Sequence, residues 1–98
     1  MIDGFGNKTA AGIWREGFSK ALPKMMHLRV HTLLTIMHST SNMRDLLVKG
    51  QPPGLRLHKL KGDKKDYWSI TIDLPYCITF RFKNGIFYDV RIENYHRG

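Results

Sequence analysis

The sequence predicts an α+β domain in which two N-terminal helices pack on one face of a mainly antiparallel sheet of four or five strands. Three observations predict it. Apolar residues recur every three or four positions up to Met37, and they alternate with period two from Tyr67 onward. Between the two regimes, Gly50-Gln51-Pro52-Pro53-Gly54 breaks the chain. With 98 residues there is room for one domain, spanning 1–98. A chain of that size buries about 60 to 65% of its unfolded surface.

Ile2 to Phe5 reads as a short first strand, ended by Gly4 and Gly6-Asn7. Ile13, Trp14, Phe18 and Leu22 fall near helical spacing, so the first helix is predicted over Ala10 to Ala21, with Thr9 as N-cap and a weak point at Gly17. Pro23 suits the first turn of a second helix, where its missing N–H would have had no partner. From there Leu22, Met26, Val30, Leu33 and Met37 form a stripe, widened by Met25 and Leu34, that runs out around His38 to Ser41. Asn42 and Asp45 stand three apart, a capping arrangement for a short turn through Leu46 and Leu47.

Strands are predicted over Leu55 to Lys61, Tyr67 to Asp73, Cys77 to Lys83 and Ile86 to Asn94. Leu74-Pro75-Tyr76 is a turn, and Asn84-Gly85 signals a type I′ hairpin because both residues tolerate positive φ. The predicted inner face comprises Trp68, Ile70 and Ile72, then Ile78, Phe80 and Phe82, then Tyr88, Val90 and Ile92. The opposite face carries Tyr67, Ser69, Thr71, Asp73, Cys77, Thr79, Arg81, Lys83, Phe87, Asp89, Arg91 and Glu93. Function is expected on that face and at the chain ends beside it.

Neither a basic run followed by an apolar stretch near the start nor any window close to 18 apolar residues is present, so a soluble, unexported, cytoplasmic protein without membrane contact is expected. The single cysteine, Cys77, excludes an internal disulfide and a multi-cysteine metal site, and it fits a reducing compartment. A formal charge of +8 points to polyanions or an acidic protein partner. The charge is concentrated: Arg56, Lys59, Lys61, Lys64 and Lys65 stand against the lone acid Asp63. Nucleic acid is the commonest large anion in a cell, and a solvated basic loop is the bland alternative for such a run.

Chemistry centres on His58 and Lys61 together with the terminal Asn94-Tyr95-His96. The last strand is expected to run past the middle of the sheet, so that its end can approach the basic strand of His58. RNA can be cut without a metal: a base takes the ribose 2′-OH proton, cations stabilise charge on the phosphorus oxygens, and an acid protonates the 5′-oxygen. Histidine serves as acid or base near neutrality, which leaves His58 and His96 interchangeable in those roles. Tyr95 can stack on a splayed base, although an aromatic residue late in a strand is more often simply packing. His27 and His31, four apart on a helix, have a metal-binding spacing but no third ligand, and a solvated face is the better account. No metal or other cofactor is expected.

The run RLHKLKGDKKDYWSI, the following ITFRFKNG and the terminal ENYH resemble the HigB branch of the RelE/ParE toxin superfamily. The resemblance covers essentially the whole chain, by motif in the second half and by pattern in the first. It implies a ribosome-dependent endoribonuclease that cleaves messenger RNA in the decoding site and is silenced by a HigA-like helix-turn-helix antitoxin. It assigns His58, Lys61, Tyr95 and His96 to the active site, with Lys61 on the phosphate, Tyr95 on a base and His96 in proton transfer or substrate orientation. Further RNA contacts are expected from Arg56, Lys59, Lys64, Lys65, Arg81 and Asn94. Two positions depart from the family's pattern. Asn94 stands where an acid usually precedes the tyrosine–histidine pair, and Tyr76-Cys77 replaces a tryptophan–arginine pair, removing a phosphate-facing cation. Two alternatives therefore stand beside the nuclease: a weakened homologue that binds ribosome or antitoxin without efficient cleavage, and a ParE-like inhibitor of a DNA topoisomerase.

Overall fold

The structure is a computed structural model, and it describes residues 1–44, 46, 56–60, 62, 66–73 and 75–94, with Arg56 and His58 described for their backbone only. Helix α1 spans Lys8–Glu16 and α2 spans His27–Ser39, the latter led in by a 3-10 turn at Lys24–Met26. Four strands follow, β1 Arg56–Lys59, β2 Trp68–Asp73, β3 Tyr76–Lys83 and β4 Ile86–Asn94, paired antiparallel in the order β1-β2-β3-β4.

The first helix begins earlier and stops sooner than its periodicity predicts. Asn7, and not Thr9, is the N-cap: its side-chain oxygen accepts from Ala10 N at 3.0 Å while its amide donates to Ile92 O at 2.9 Å. One side chain thereby caps the helix and ties it to β4. Gly17 is a stop, with φ of 71° in the left-handed region and its N–H closing onto Ile13 O. Phe18 lies beyond the helix and is exposed.

The residues predicted as a first strand form two parallel bridges to β4, Ile2 with Phe87 and Phe5 with Val90. Backbone bonds run between Asp3 N and Phe87 O and between Gly6 N and Val90 O, each at 2.8 Å. The N-terminal ammonium reaches Thr40 O at 2.7 Å and Met37 O at 3.3 Å, fastening this segment to the end of α2. In the predicted turn after α2, Leu46 is buried and its N–H reaches Asn42 O, whereas Asp45 and Leu47 lie outside the described residues. The hairpin at Asn84-Gly85 has φ of 52° and 81°, the positive pair that a type I′ turn requires.

One apolar cluster joins Ala10 and Ile13 of α1, Val30, Leu33, Leu34 and Met37 of α2, and Ile70, Ile78, Phe80, Phe87, Val90 and Ile92 of the sheet. Trp68, Ile72 and Phe82 pack against it half-buried. The sheet departs from simple alternation in β4. Thr79 pairs with Arg91 and Arg81 pairs with Tyr88, so β4 advances three residues while β3 advances two. This is a bulge, and Asp89 sits in it with φ of 52°. The extra residue resets the phase, so Phe87 and not Tyr88 enters the core, in edge contact with Phe80 at 5.2 Å between ring centroids.

His27 and His31 are also placed differently from a solvated face. His27 is buried, and its Nε2 lies 2.9 Å from Leu22 O and 3.0 Å from Ser19 O, so that nitrogen carries the proton. His31 stacks on Trp14 at 5.9 Å, and His38 Nδ1 accepts from Ile2 N at 3.2 Å.

The phase reset is open to test by unfolding in denaturant. Phe87→Ala should cost about 3–5 kcal/mol, as expected for a buried aromatic, and Tyr88→Ala about 1 kcal/mol. The reverse ranking would place Tyr88 in the core and remove the bulge.

Candidate active site

Register sets the site. His58, Ser69, Thr79 and Arg91 fall in one rung across all four strands, and Arg56, Thr71, Cys77 and Glu93 fall in another two residues along. Directly opposed residues share a face of a sheet. The neighbouring rung of Leu57, Ile70, Ile78 and Ile92 faces the core, so Ser69, Thr79 and Arg91 belong to the outer face.

That face is less open than its polarity predicts. Ser69, Cys77 and Thr79 are buried, while the Arg91 side chain is 36% exposed. Thr79 Oγ1 donates to Glu93 Oε2 at 3.3 Å, and Cys77 Sγ lies 3.8 Å from Glu93 O. Burial pushes the Cys77 thiol up from its ordinary value, which keeps it protonated and unreactive.

At the bulge, Asp89 accepts from two directions. The Tyr67 hydroxyl donates to Oδ2, and Arg91 Nε donates to Oδ1 at 3.2 Å. Burial alone would raise the Asp89 carboxyl. The hydrogen bonds from Tyr67 and Arg91, with the charges of Arg91 and Arg81, outweigh it and hold the carboxyl below its ordinary 3.8. Bonding to Asp89 raises the Tyr67 hydroxyl above its ordinary 10.0, helped by burial and by the carboxylate's charge. Arg91 is therefore a held cation: Nε is engaged, and a guanidinium carries four further N–H donors.

Of the residues predicted for the site, His58 has its backbone in the rung with Arg91, and Arg56 in the rung two residues along. Lys61, Lys64, Lys65, Tyr95 and His96 lie outside the described residues. Asn94 is exposed, paired with Tyr76 at the end of β4. Strands β1 and β4 are separated by β2 and β3, three steps of about 4.8 Å. The end of β4 thus lies across the sheet from the His58 strand, not beside it. Leu60, next to Lys61, bonds to Tyr67 O at the opposite end of β1 from the Asn94 side. Lys59 is exposed and shares a rung with Trp68 and Phe80, its ammonium 5.8 Å from the Trp68 ring centroid, so it does not face the same way as Ser69. Arg81 is exposed, opposite Tyr88.

Tyr67, Asp89 and Arg91 are the residues that strand alternation alone did not single out. Their signal was an acid in the middle of a strand with apolar residues three apart around it, Phe87 and Val90, a spacing that fits a bulge better than period two.

The α+β fold, with the backbone of His58 and Arg91 in one rung of its sheet, stands beside a family likeness that covers nearly the whole chain. A family model described as the RelE-like toxin of type II toxin–antitoxin system HigB matches residues 6–96, and the chain belongs to that HigB-like toxin family. It is 31% identical over 96 residues to Endoribonuclease HigB of Proteus vulgaris, covering 98% of this chain and all of that protein. Membership of a toxin–antitoxin family implies an antitoxin partner. Among the described residues no helix is long and apolar enough to cross a membrane.

The Tyr67 contact has a pH signature. Asp89 has a folded value below its unfolded one, so its contribution to stability is present above about pH 4 and lost as pH falls through the folded value. Tyr67 is raised, so its contribution is present below about pH 10 and lost as pH rises through the folded value. Tyr67→Phe should flatten both limbs in unfolding measured near pH 3, 7 and 11. Unchanged limbs would show that the contact is not made in solution.

Proposed function

We propose that this chain is the toxin of a type II toxin–antitoxin pair that cuts messenger RNA on the ribosome. A cytoplasmic setting and a HigA-like helix-turn-helix antitoxin belong to the same reading, as does a RelE-like packing of both helices on one sheet face that leaves the other for RNA. Family membership and the name of the Proteus vulgaris relative support the nuclease activity. The observation that carries the chemistry is the rung of His58, Ser69, Thr79 and Arg91.

In the proposed reaction one histidine, His58 or His96, takes the proton from the ribose 2′-OH, and the 2′-oxygen attacks the adjacent phosphorus. The bond to the 5′-oxygen breaks as the other histidine supplies its proton, leaving a cyclic phosphate on one product and a hydroxyl on the other. Lys61 and Arg91 stabilise the charge on the non-bridging oxygens, and Tyr95 holds a base. The scheme needs no metal to move these protons. Arg91 answers the loss of the family's arginine at Cys77. Cys77 pairs with Glu93, two residues along β4 from Arg91, so the two positions are diagonal neighbours about 7–8 Å apart, within the reach of an arginine side chain.

A second reading keeps ribosome and antitoxin binding but not efficient cleavage. It is favoured by the burial of Cys77, which leaves no cation at that position of β3.

Induced expression should arrest growth and yield transcripts with new ends inside coding frames, mapped by primer extension. Arg91→Gln and His58→Gln should each lower cleavage by about 10²-fold or more while antitoxin binding persists. Arrest with intact messages and DNA damage would move the target to a topoisomerase, and no arrest at all would support the second reading.

A further inference from the structure

The β2–β3 ladder ends where Trp68 meets Phe80, yet β3 continues to Lys83 and returns through Ile86. The β3–β4 hairpin therefore overhangs the start of β2. In the corner lies a cleft of about 580 Å³, lined among others by Lys59, Asp66, Trp68, Arg81, Lys83 and Tyr88. That volume is within the range of about 300–1,000 Å³ typical of small-ligand sites.

Its lining combines three cations and one acid with two polar-edged rings. The Lys59 ammonium stands 5.8 Å from the Trp68 ring centroid, and Arg81 is directly opposite Tyr88 in the ladder. Cations interleaved with flat rings in one concavity suit single-stranded nucleic acid, whose phosphates take the charges while an unstacked base lies on a ring. Asp66 adds an acceptor for the exocyclic amino group of a base. An acidic peptide would use the cations but would leave the rings without a flat partner.

We infer that this cleft binds a segment of single-stranded RNA. The phosphates lie against Lys59, Arg81 and Lys83, and a base lies on Trp68 or Tyr88. The cleft is distinct from the catalytic rung: Lys59 and Trp68 share a rung with Phe80, and the overhang is at the end of the sheet away from Asn94. The inference rests on the RNA-directed reading proposed above. Its ligand is either the message being cut or an unpaired stretch of ribosomal RNA, which present the same chemistry.

The chain has two tryptophans, so Trp14→Phe leaves Trp68 as the sole reporter. Titration of that variant with an RNA oligonucleotide should quench its fluorescence. Adding Lys59→Gln and Lys83→Gln should weaken binding about 10-fold and reduce the salt slope by about 1.4, or about 0.7 for each phosphate no longer neutralised. Lys20→Gln with Lys24→Gln, on the helical layer, should leave both unchanged, and matching thermal unfolding checks that the variants fold. Co-pelleting with message-free ribosomes separates the sources: weakening there assigns ribosomal RNA, and weakening with the oligonucleotide alone assigns the message. No quenching, with unchanged binding in both arms for the double lysine variant, would overturn the inference. Intact transcripts on induction together with cleft-dependent RNA binding would sink the nuclease reading and leave the cleft standing.

Discussion

The bulge at Asp89 is the constraint on which both faces of the sheet depend. A strand with strict alternation cannot send Phe87, Val90 and Ile92 to the same side, since Phe87 and Val90 are an odd number of residues apart. One residue in the left-handed region absorbs the mismatch, and aspartate is among the few non-glycine residues that adopt it at tolerable cost. Inside, the reset seats Phe87 against Phe80 and Phe82. Outside, it turns a carboxylate onto the surface that carries Arg81 and Arg91, where it meets Tyr67 from the far side of β3 and Arg91 from its own strand.

Beside the shared apolar cluster, polar groups at the ends of helices and strands tie the helical layer, the N-terminal segment and that strand together. Asn7 spends its oxygen on the α1 terminus and its nitrogen on Ile92, and the N-terminal ammonium takes up carbonyls at the end of α2. His27 and His38 do comparable work with their rings, one for the turn between the helices and one for the N-terminal edge. Each of these bonds satisfies a group whose burial unpaired would cost about 1–3 kcal/mol. Histidines at helical spacing are for this reason a poor guide to metal or solvent until their neighbours are known.

Much of the fold was legible in the sequence because it rests on local signals. The hairpin at Asn84-Gly85, the bounds of β4 and the inward set of β2 and β3 follow from residue-level φ tolerance and period two. What could not be read depends on distant partners. Asn7 and Thr9 are both good caps, and the choice falls to Asn7 because Ile92 is within its reach. The phase of β4 needed the core to claim Phe87 over Tyr88, two aromatic residues that composition does not separate. In the candidate site, His58 was legible from its motif, but Arg91 was not. Its value arises from a register that pairs β3 with β4 and from a carboxylate two residues away.

Moving a guanidinium from β3 to β4 also changes what holds it. A cation at the position of Cys77 would project from the middle of the sheet over small neighbours, free to choose among rotamers. Arg91 is fixed at Nε by Asp89, which is itself fixed by Tyr67, so in the proposed role its remaining donors would meet a phosphate with less conformational freedom to give up. The N-terminal segment closes this arrangement from beneath. A Cβ at Gly6 would collide with Asp89 Oδ1 and lie 2.5 Å from Arg91 Nε, so only glycine lets the segment pair with Val90 while the carboxylate and the guanidinium keep their places. In this chain the charge of Arg91 is thus supported by the bulge, the tyrosine and the first strand-like residues together. A preorganised cation of this kind stabilises a transition state more than a mobile one of equal charge, because it has no reorganisation left to undergo when charge develops.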